Sequence, residues 1–142
     1  MALLNYTTKV SVHKSVSAIQ EHLVARGAKE VSVSYDDGVP TAIHFKALVG
    51  QTPETFCLRV NPEAVLEVLI EDRVQRSYQT LEHARKVAWR MLEDMIEGTV
   101  AAVRVDNVKL AEIFFGLEVS PSGKAMFELY DEQGLPELPK AV

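Results

Sequence analysis

Hydrophobic and polar positions alternate in three segments of the first half of the chain. These segments are residues 31–35, 41–49 and 56–60. A period of two is typical of strands that bury one face. Asp36-Asp37-Gly38 separates the first two segments, and Asp-Gly tolerates the positive φ angles of a tight hairpin. The pattern therefore predicts an antiparallel meander of three consecutive strands, and the hairpin turn accounts for both aspartates.

Two further elements are predicted before the meander. A weaker alternation over residues 6–12, rich in β-branched side chains, predicts a first strand. Hydrophobic residues then recur at helical spacing, which predicts a helix over about residues 16–26. We expect Ser15 to cap its beginning and Gly27 to follow its end in a left-handed conformation.

The second half of the chain has the periodicity of helices. Asn61-Pro62-Glu63 predicts a helix start, because Asn caps, Pro fits the first helical position and Glu complements the helix dipole. Thr80 is expected to cap a long helix over about residues 81–105. Its predicted inner face holds Leu81, Ala84, Ala88, Met91, Leu92, Met95 and Val103. A short helix is predicted over residues 108–115, and residues 125–130 form an apolar element of unassigned type.

The predicted order of elements is β-α-β-β-β-α-α-α. Consecutive strands followed by helices favour the α+β class, with an antiparallel sheet of three to four strands and helices packed on one face. We expect a single domain over residues 1–130. Residues 131–142 contain Pro136 and Pro139 and are predicted to be a frayed tail.

Composition changes this picture little, whereas the distribution of charge changes it more. Hydrophobic residues make up 47% and charged residues 25% of the 142 positions, as in ordinary globular domains. The net charge of −5 argues against a strongly cationic protein that coats nucleic acid. However, residues 1–92 carry eleven bases and ten acids, while residues 93–142 carry four bases and ten acids. The acidity therefore belongs to the C-terminal third and says little about basic segments before it.

The chain lacks the usual signals for export or for a membrane. No apolar run approaches the length of a membrane span, and the first ten residues do not resemble a signal peptide. A single cysteine excludes an intramolecular disulfide. We therefore expect a soluble protein in the cytoplasm.

Sequence motifs for catalysis, metals and cofactors are missing. The nucleotide-binding motifs G-x-x-x-x-G-K-[ST] and G-x-G-x-x-G do not occur. The metal-binding motifs H-E-x-x-H and C-x-x-C do not occur either. We therefore expect no cofactor, no metal and no enzymatic activity. No two of the four histidines, His13, His22, His44 and His83, are three or four residues apart. A small hydrolase with a site dispersed along the chain is accordingly the least favoured hypothesis.

Cys57 is interpreted as a small buried thiol within the third strand of the meander. A neighbouring cation lowers a thiol's pKa. We expect the side chains of Cys57 and Arg59 to lie on different faces of the strand, so that Arg59 has no such effect.

The most suggestive feature is a basic stretch over residues 73–90, which has five basic residues and one acid. Arg85 and Trp89 are four residues apart, so a guanidinium could lie over the indole, and arginine also chelates phosphate. The candidate site for phosphate or a partner comprises Arg59, Arg76, Arg85, Lys86, Trp89 and Arg90. The alternative is an ordinary solvated helix face with salt bridges and a tryptophan packed in the core.

Several short islands of sequence carry a resemblance to known proteins. They are Asn5-Tyr6-Thr7-Thr8-Lys9-Val10, Ile19-Gln20, Gly27-Ala28, Tyr35-Asp36-Asp37-Gly38, Arg85-Lys86-Val87-Ala88-Trp89-Arg90 and Glu112-Ile113-Phe114. In these islands the chain resembles a group of small uncharacterised proteins encoded by bacteriophages, prophages and other mobile elements of bacteria. The resemblance implies a phage-related accessory protein and supplies no catalytic residues. The segment at residues 72–79 is shorter and more divergent here than in that group.

These observations lead to two hypotheses about function. The first is a non-enzymatic accessory protein of a phage or mobile element that binds a protein partner. The partner would belong to the host, including its defence systems, or to replication and recombination machinery. The alternative is a protein that binds nucleic acid or nucleotide phosphate through the basic stretch. Self-association is also expected to be feasible, because Met91, Met95 and Ile96 could present excess apolar surface.

Overall fold

A computed structural model describes residues 2–106 and 108–134. Its helices are α1 (Val12–Ala25), α2 (Pro62–Glu71), α3 (Leu81–Asp106), α4 (Leu110–Phe114) and α5 (Met126–Gln133), and its strands are β1 (Lys29–Asp36), β2 (Val39–Val49) and β3 (Thr52–Arg59). Two 3₁₀ turns lie at Arg76–Tyr78 and Phe115–Leu117. The predicted α+β class is confirmed. Across the described ranges, every helix is too short or too polar to cross a lipid bilayer.

The three strands form an antiparallel sheet in the order β1-β2-β3, as the meander predicts. Asp37 and Gly38 form the loop of the first hairpin and have φ angles of 49° and 74°. Positive φ at both positions matches the twist of the flanking strands, so the Asp-Gly prediction is confirmed. A short segment after the second 3₁₀ turn pairs with the free edge of β3, where the Val119 amide donates a hydrogen bond to the Thr55 carbonyl at 2.8 Å.

The core lies between the inner face of the sheet and the helices. Ile43 and Phe45 of β2 lie opposite Leu58 and Phe56 of β3, and the two phenylalanine rings stack with centroids 5.3 Å apart. Residues from α1, α3 and α4 pack against this face. A second, smaller cluster joins α2 to the first half of α3.

The predicted first strand is wrong. Residues 4–7 form a turn instead, and α1 begins at Val12. Ser11 rather than Ser15 caps the helix, its Oγ accepting from the Lys14 amide at 3.2 Å, and Ser15 is buried inside the helix. The reason is that Val12 continues the stripe of Val16, Ile19 and Leu23 one turn earlier. Burying that stripe against the core outweighs a weak alternation that has no strand to pair with.

The long helix α3 is present as predicted, and its buried face matches the predicted one only in part. Ala84, Ala88 and Val103 are buried as expected. Trp89 and Ile96 are fully buried although they were not placed on that face, and Met95 is exposed. The helix has two sets of neighbours, because its first half packs on α2 and it also packs on α1. A single stripe along the sequence cannot describe both contacts.

The remaining predictions concern the two ends of α2 and of the chain. Asn61 caps α2 as predicted, its Oδ1 accepting from the Ala64 amide at 3.1 Å, and Pro62 occupies the first turn. The apolar element of residues 125–130 is helical and belongs to α5. Because α5 continues to Gln133, the predicted domain boundary at residue 130 falls inside a helix. Residues 135–142 of the predicted tail lie outside the described residues.

Candidate functional site

Trp89 does not offer a surface for ligand binding. Its side chain is 0% exposed and belongs to the main core between α3, α1 and the sheet. Arg85 precedes it by one turn and is half-buried. Of the two interpretations of Trp89, the one that matches its position is therefore a tryptophan packed in the core.

Arg90 is engaged within the helix that carries it. Its guanidinium forms an ion pair with Glu93 and a second, at 3.4 Å, with Asp94. Asp94 also accepts a hydrogen bond from the side-chain Nδ2 of Asn5 at 2.7 Å, which ties the N-terminal turn to α3. The positive charge of Arg90 is thus neutralised by two carboxylates of its own helix, which indicates a structural role.

Arg59 lies beside Cys57, contrary to the expectation that the two occupy different faces. Residues two apart on a strand share a face, and Arg59 is close enough to lower the pKa of the Cys57 thiol. Burial of the thiol is the larger effect, and it raises this pKa above the ordinary value. The thiol is therefore protonated at neutral pH, unlike an activated cysteine nucleophile.

The other three basic residues of the candidate site are not engaged in this way. Arg76 is exposed on the 3₁₀ turn, and Arg85 and Lys86 are half-buried on the first half of α3. None of the three forms an ion pair with another described residue. Arg85 and Lys86 are thus neighbours on one helix, while Arg59 lies at the end of β3 and Trp89 is inside the core.

Glu93, Asp94 and Glu97 form an acidic cluster on α3. One carboxylate oxygen from each lies within 4.8 Å of the others, and Glu93 is only 7% exposed. A cation could be expected there, but the Arg90 guanidinium already pairs with two of the three carboxylates. The cluster is therefore explained as an internal ion-pair network.

A cross-strand row of polar residues lies on the sheet face opposite the main core. Ser34 Oγ and His44 Nδ1 are 3.2 Å apart, and His44 pairs in register with Cys57 on β3. The described residues place no carboxylate in hydrogen-bonding distance of His44 to orient it as a base. The row is explained by cross-strand pairing.

A groove that the sequence did not reveal lies where the C-terminal ends of α1 and α3 approach the β2–β3 hairpin and α4. Its volume is about 480 Å³. Three cations line it, Arg26 after α1, Arg104 in the last turn of α3 and Lys109 before α4, and none of the acidic side chains that the structure describes does. Apolar side chains from all these elements complete the lining, Leu48 and Val108 among them. We call this site the cationic groove.

The cationic groove continues into a shallower depression beside the hairpin. Leu48 and Lys109 are shared by both, and Val49 and Phe115 extend the apolar lining. Leu48 is 56% exposed and Phe115 39% exposed. Among the described residues, none of the three groove cations forms an ion pair. Glu112 lines the depression beside Lys109, and Glu97 lines a neighbouring hollow together with Arg26 and Arg104. The surface therefore combines an excess of positive charge with exposed apolar side chains.

Sequence reasoning missed the cationic groove because its cations are isolated along the chain. Arg26 and Arg104 are 78 positions apart, and each lies where a basic residue favourably complements the C-terminal end of a helix. Such residues look like helix-end signals. Only the approach of α1 to α3 brings the two side chains to one surface.

Comparisons with known proteins add no assignment. No protein-family model, no curated protein and no solved structure matches the chain. The fold and its surfaces therefore define the chain only as an α+β protein with a groove that is both cationic and apolar.

Proposed function

We propose that the chain is a non-enzymatic accessory protein of a phage or mobile element that acts by binding a protein partner. The partner belongs to the host, including its defence systems, or to the replication and recombination machinery of the element. The resemblance of the sequence islands to phage and prophage proteins supports the origin. The cationic groove is the single observation that supports the mode of action.

The chemistry of the groove suits a protein segment better than a small anion. Arg26, Arg104 and Lys109 alone would serve a phosphate or a carboxylate. The exposed side chains of Leu48 and Phe115 add apolar area, and covering such area contributes roughly 25 cal/mol per Å². Protein interfaces use this combination of a central apolar patch and polar or charged groups around it.

Affinity capture with the tagged full chain tests the proposal. Lysate from infected or source-like bacteria is passed over the protein with and without nuclease. We expect a protein partner whose capture resists nuclease. Arg104→Glu should reduce this capture, because it places an acid among the groove cations. Arg85→Glu is the matched control, since it makes the same charge change on the same helix but outside the groove.

Three results would contradict the proposal. Capture that disappears with nuclease would favour nucleic acid as the partner. Equal loss of capture in both variants would remove the groove as the binding surface. Turnover of a nucleotide or nucleic acid by the purified protein in a metal-supplemented screen would remove the non-enzymatic assignment.

The second candidate function is binding of nucleic acid or nucleotide phosphate by the basic stretch. One observation favours it, namely that Arg76, Arg85 and Lys86 form no ion pair within the described part of the chain. It predicts binding to a labelled oligonucleotide that weakens steeply with salt. Replacing Arg76 and Arg85 together by alanine should lower both the affinity and the salt dependence. Unchanged affinity in that variant would exclude this function for the basic stretch.

A further inference from the structure

The outer surface of α5 complements the cationic groove in charge and in polarity. Phe127 is 65% exposed although it is a large aromatic side chain. Asp131 follows it by one helical turn, and its carboxylate is exposed. The helix therefore presents an apolar anchor beside an acidic group.

The groove and α5 also adjoin each other on one end of the molecule. Phe115, which lines the depression that continues the groove, packs against Tyr130 of α5 with ring centroids 6.2 Å apart. A two-fold interface requires one patch to contain two complementary parts side by side, because each copy contributes the same surface. A cationic, apolar groove next to an acidic helix with an exposed phenylalanine meets that requirement.

We propose that the cationic groove binds α5 of a second copy of this chain, in a two-fold exchange in which each copy inserts its helix into the other's groove. In this arrangement Phe127 covers Leu48 and Val108, while Asp131 pairs with Arg104. The eight residues of α5 span about 12 Å, a length that suits a short groove. The inference rests on the proposed function in one respect, that the same groove is a protein-binding surface.

Charge reversal on the two surfaces tests the exchange directly. Sedimentation of the purified full chain is measured over a range of protein and NaCl concentrations. We expect a monomer–dimer equilibrium that weakens as salt increases, because charged pairs support the interface. Arg104→Glu and Asp131→Lys should each raise the dissociation constant about tenfold or more, and combining them should restore most of the loss. Phe127→Ser should weaken the dimer at every salt concentration.

All three altered side chains are exposed, so we expect each variant to fold, which circular dichroism checks. Lys14→Glu is the control and should dimerise like the unaltered chain, because Lys14 is exposed on α1 and lies outside the groove. The proposal is overturned if the unaltered chain stays monomeric up to a protein concentration of about 1 mM in low salt, because a dimer that weak would bind by only about 4 kcal/mol. It is also overturned if Lys14→Glu weakens the dimer as much as Arg104→Glu, or if the charge-swapped pair does not recover.

The second copy and the captured partner would compete for the same groove, and the two experiments distinguish them. A monomeric chain that still loses its captured partner in Arg104→Glu would refute the exchange and leave the proposed function standing. A dimer that depends on the groove, together with no captured partner, would refute the proposed function and leave the exchange standing. Binding of a duplex oligonucleotide by a monomeric chain, lost in Arg104→Glu, would make nucleic acid the occupant and overturn the exchange.

Discussion

Replacing Arg90 by alanine separates a structural role for this arginine from a role in ligand binding. Glu93 has a side chain that is 9% exposed, and its ion pair with Arg90 is the contact that compensates its charge. The other carboxylate oxygen of Glu93 is buried without a hydrogen-bond partner among the described residues. Removing Arg90 would therefore leave a buried carboxylate without a cation.

The expected loss of stability follows from these exposures. Breaking a buried ion pair from one side costs about 3–5 kcal/mol. Arg90 is 29% exposed, so water can partly replace it, and we expect a loss of about 2–3 kcal/mol in the free energy of unfolding. In a chain of this length each kcal/mol lowers the melting temperature by about 3–5 °C, so the expected decrease is about 6–15 °C.

Urea and thermal unfolding followed by circular dichroism measure this loss. Arg85→Ala is the control and should change the free energy of unfolding by no more than about 0.5 kcal/mol, because Arg85 has no ionic partner among the described residues. Adding Glu93→Gln to Arg90→Ala removes the buried charge and should recover about half of the loss. A loss below about 0.5 kcal/mol in Arg90→Ala, or no recovery in the double variant, would refute the structural role.

Three further predictions concern the surroundings of single side chains. Trp89 is the only tryptophan and is buried, so the fluorescence emission of the chain should be blue-shifted and resistant to quenching by acrylamide. Trp89→Ala should lower the free energy of unfolding by about 3–5 kcal/mol. Strong quenching would contradict its burial. The pKa of Glu118 is raised, chiefly by burial and secondly by the neighbouring Glu54 carboxylate. The contribution of Glu118 to the free energy of unfolding is therefore present at acidic pH and is lost as the pH rises through the raised pKa. Glu54→Gln should therefore stabilise the chain by ~0.3–0.5 kcal/mol at pH 7 and have no effect at pH 4, as urea unfolding at both pH values would show. Alkylation of Cys57 should be slow at pH 8 because burial raises the thiol pKa, and Arg59→Ala should move the pH midpoint of the rate upward; a rate equal to that of a free thiol would contradict this.

The sequence alone determined the elements that depend on neighbouring residues. The Asp37-Gly38 hairpin forms because only certain residues accept positive φ at both positions. The start of α2 follows from Asn61 and Pro62, whose effects reach no farther than one helical turn. The meander and the α+β class follow in the same way, from a period of two that persists through three segments.

Ambiguous patterns were decided by packing between elements. Val12 fits a weak strand and also the first turn of a helical stripe, and burial against the core selects the helix. Trp89 could have been a surface aromatic beside arginines or a core residue. The rotation of α3 between α1 and α2 placed it inside.

The candidate surfaces belong almost entirely to the tertiary structure. Arg90 looked available in a basic stretch, yet the helix turns it toward the carboxylates of Glu93 and Asp94. Nothing in the sequence indicates that Arg26 and Arg104 share a site, because 78 positions separate them. Charges interact according to their separation in space, whatever their separation along the chain. For that reason local sequence determined the strands and helices, whereas only the packing of α1 beside α3 decided where positive charge accumulates.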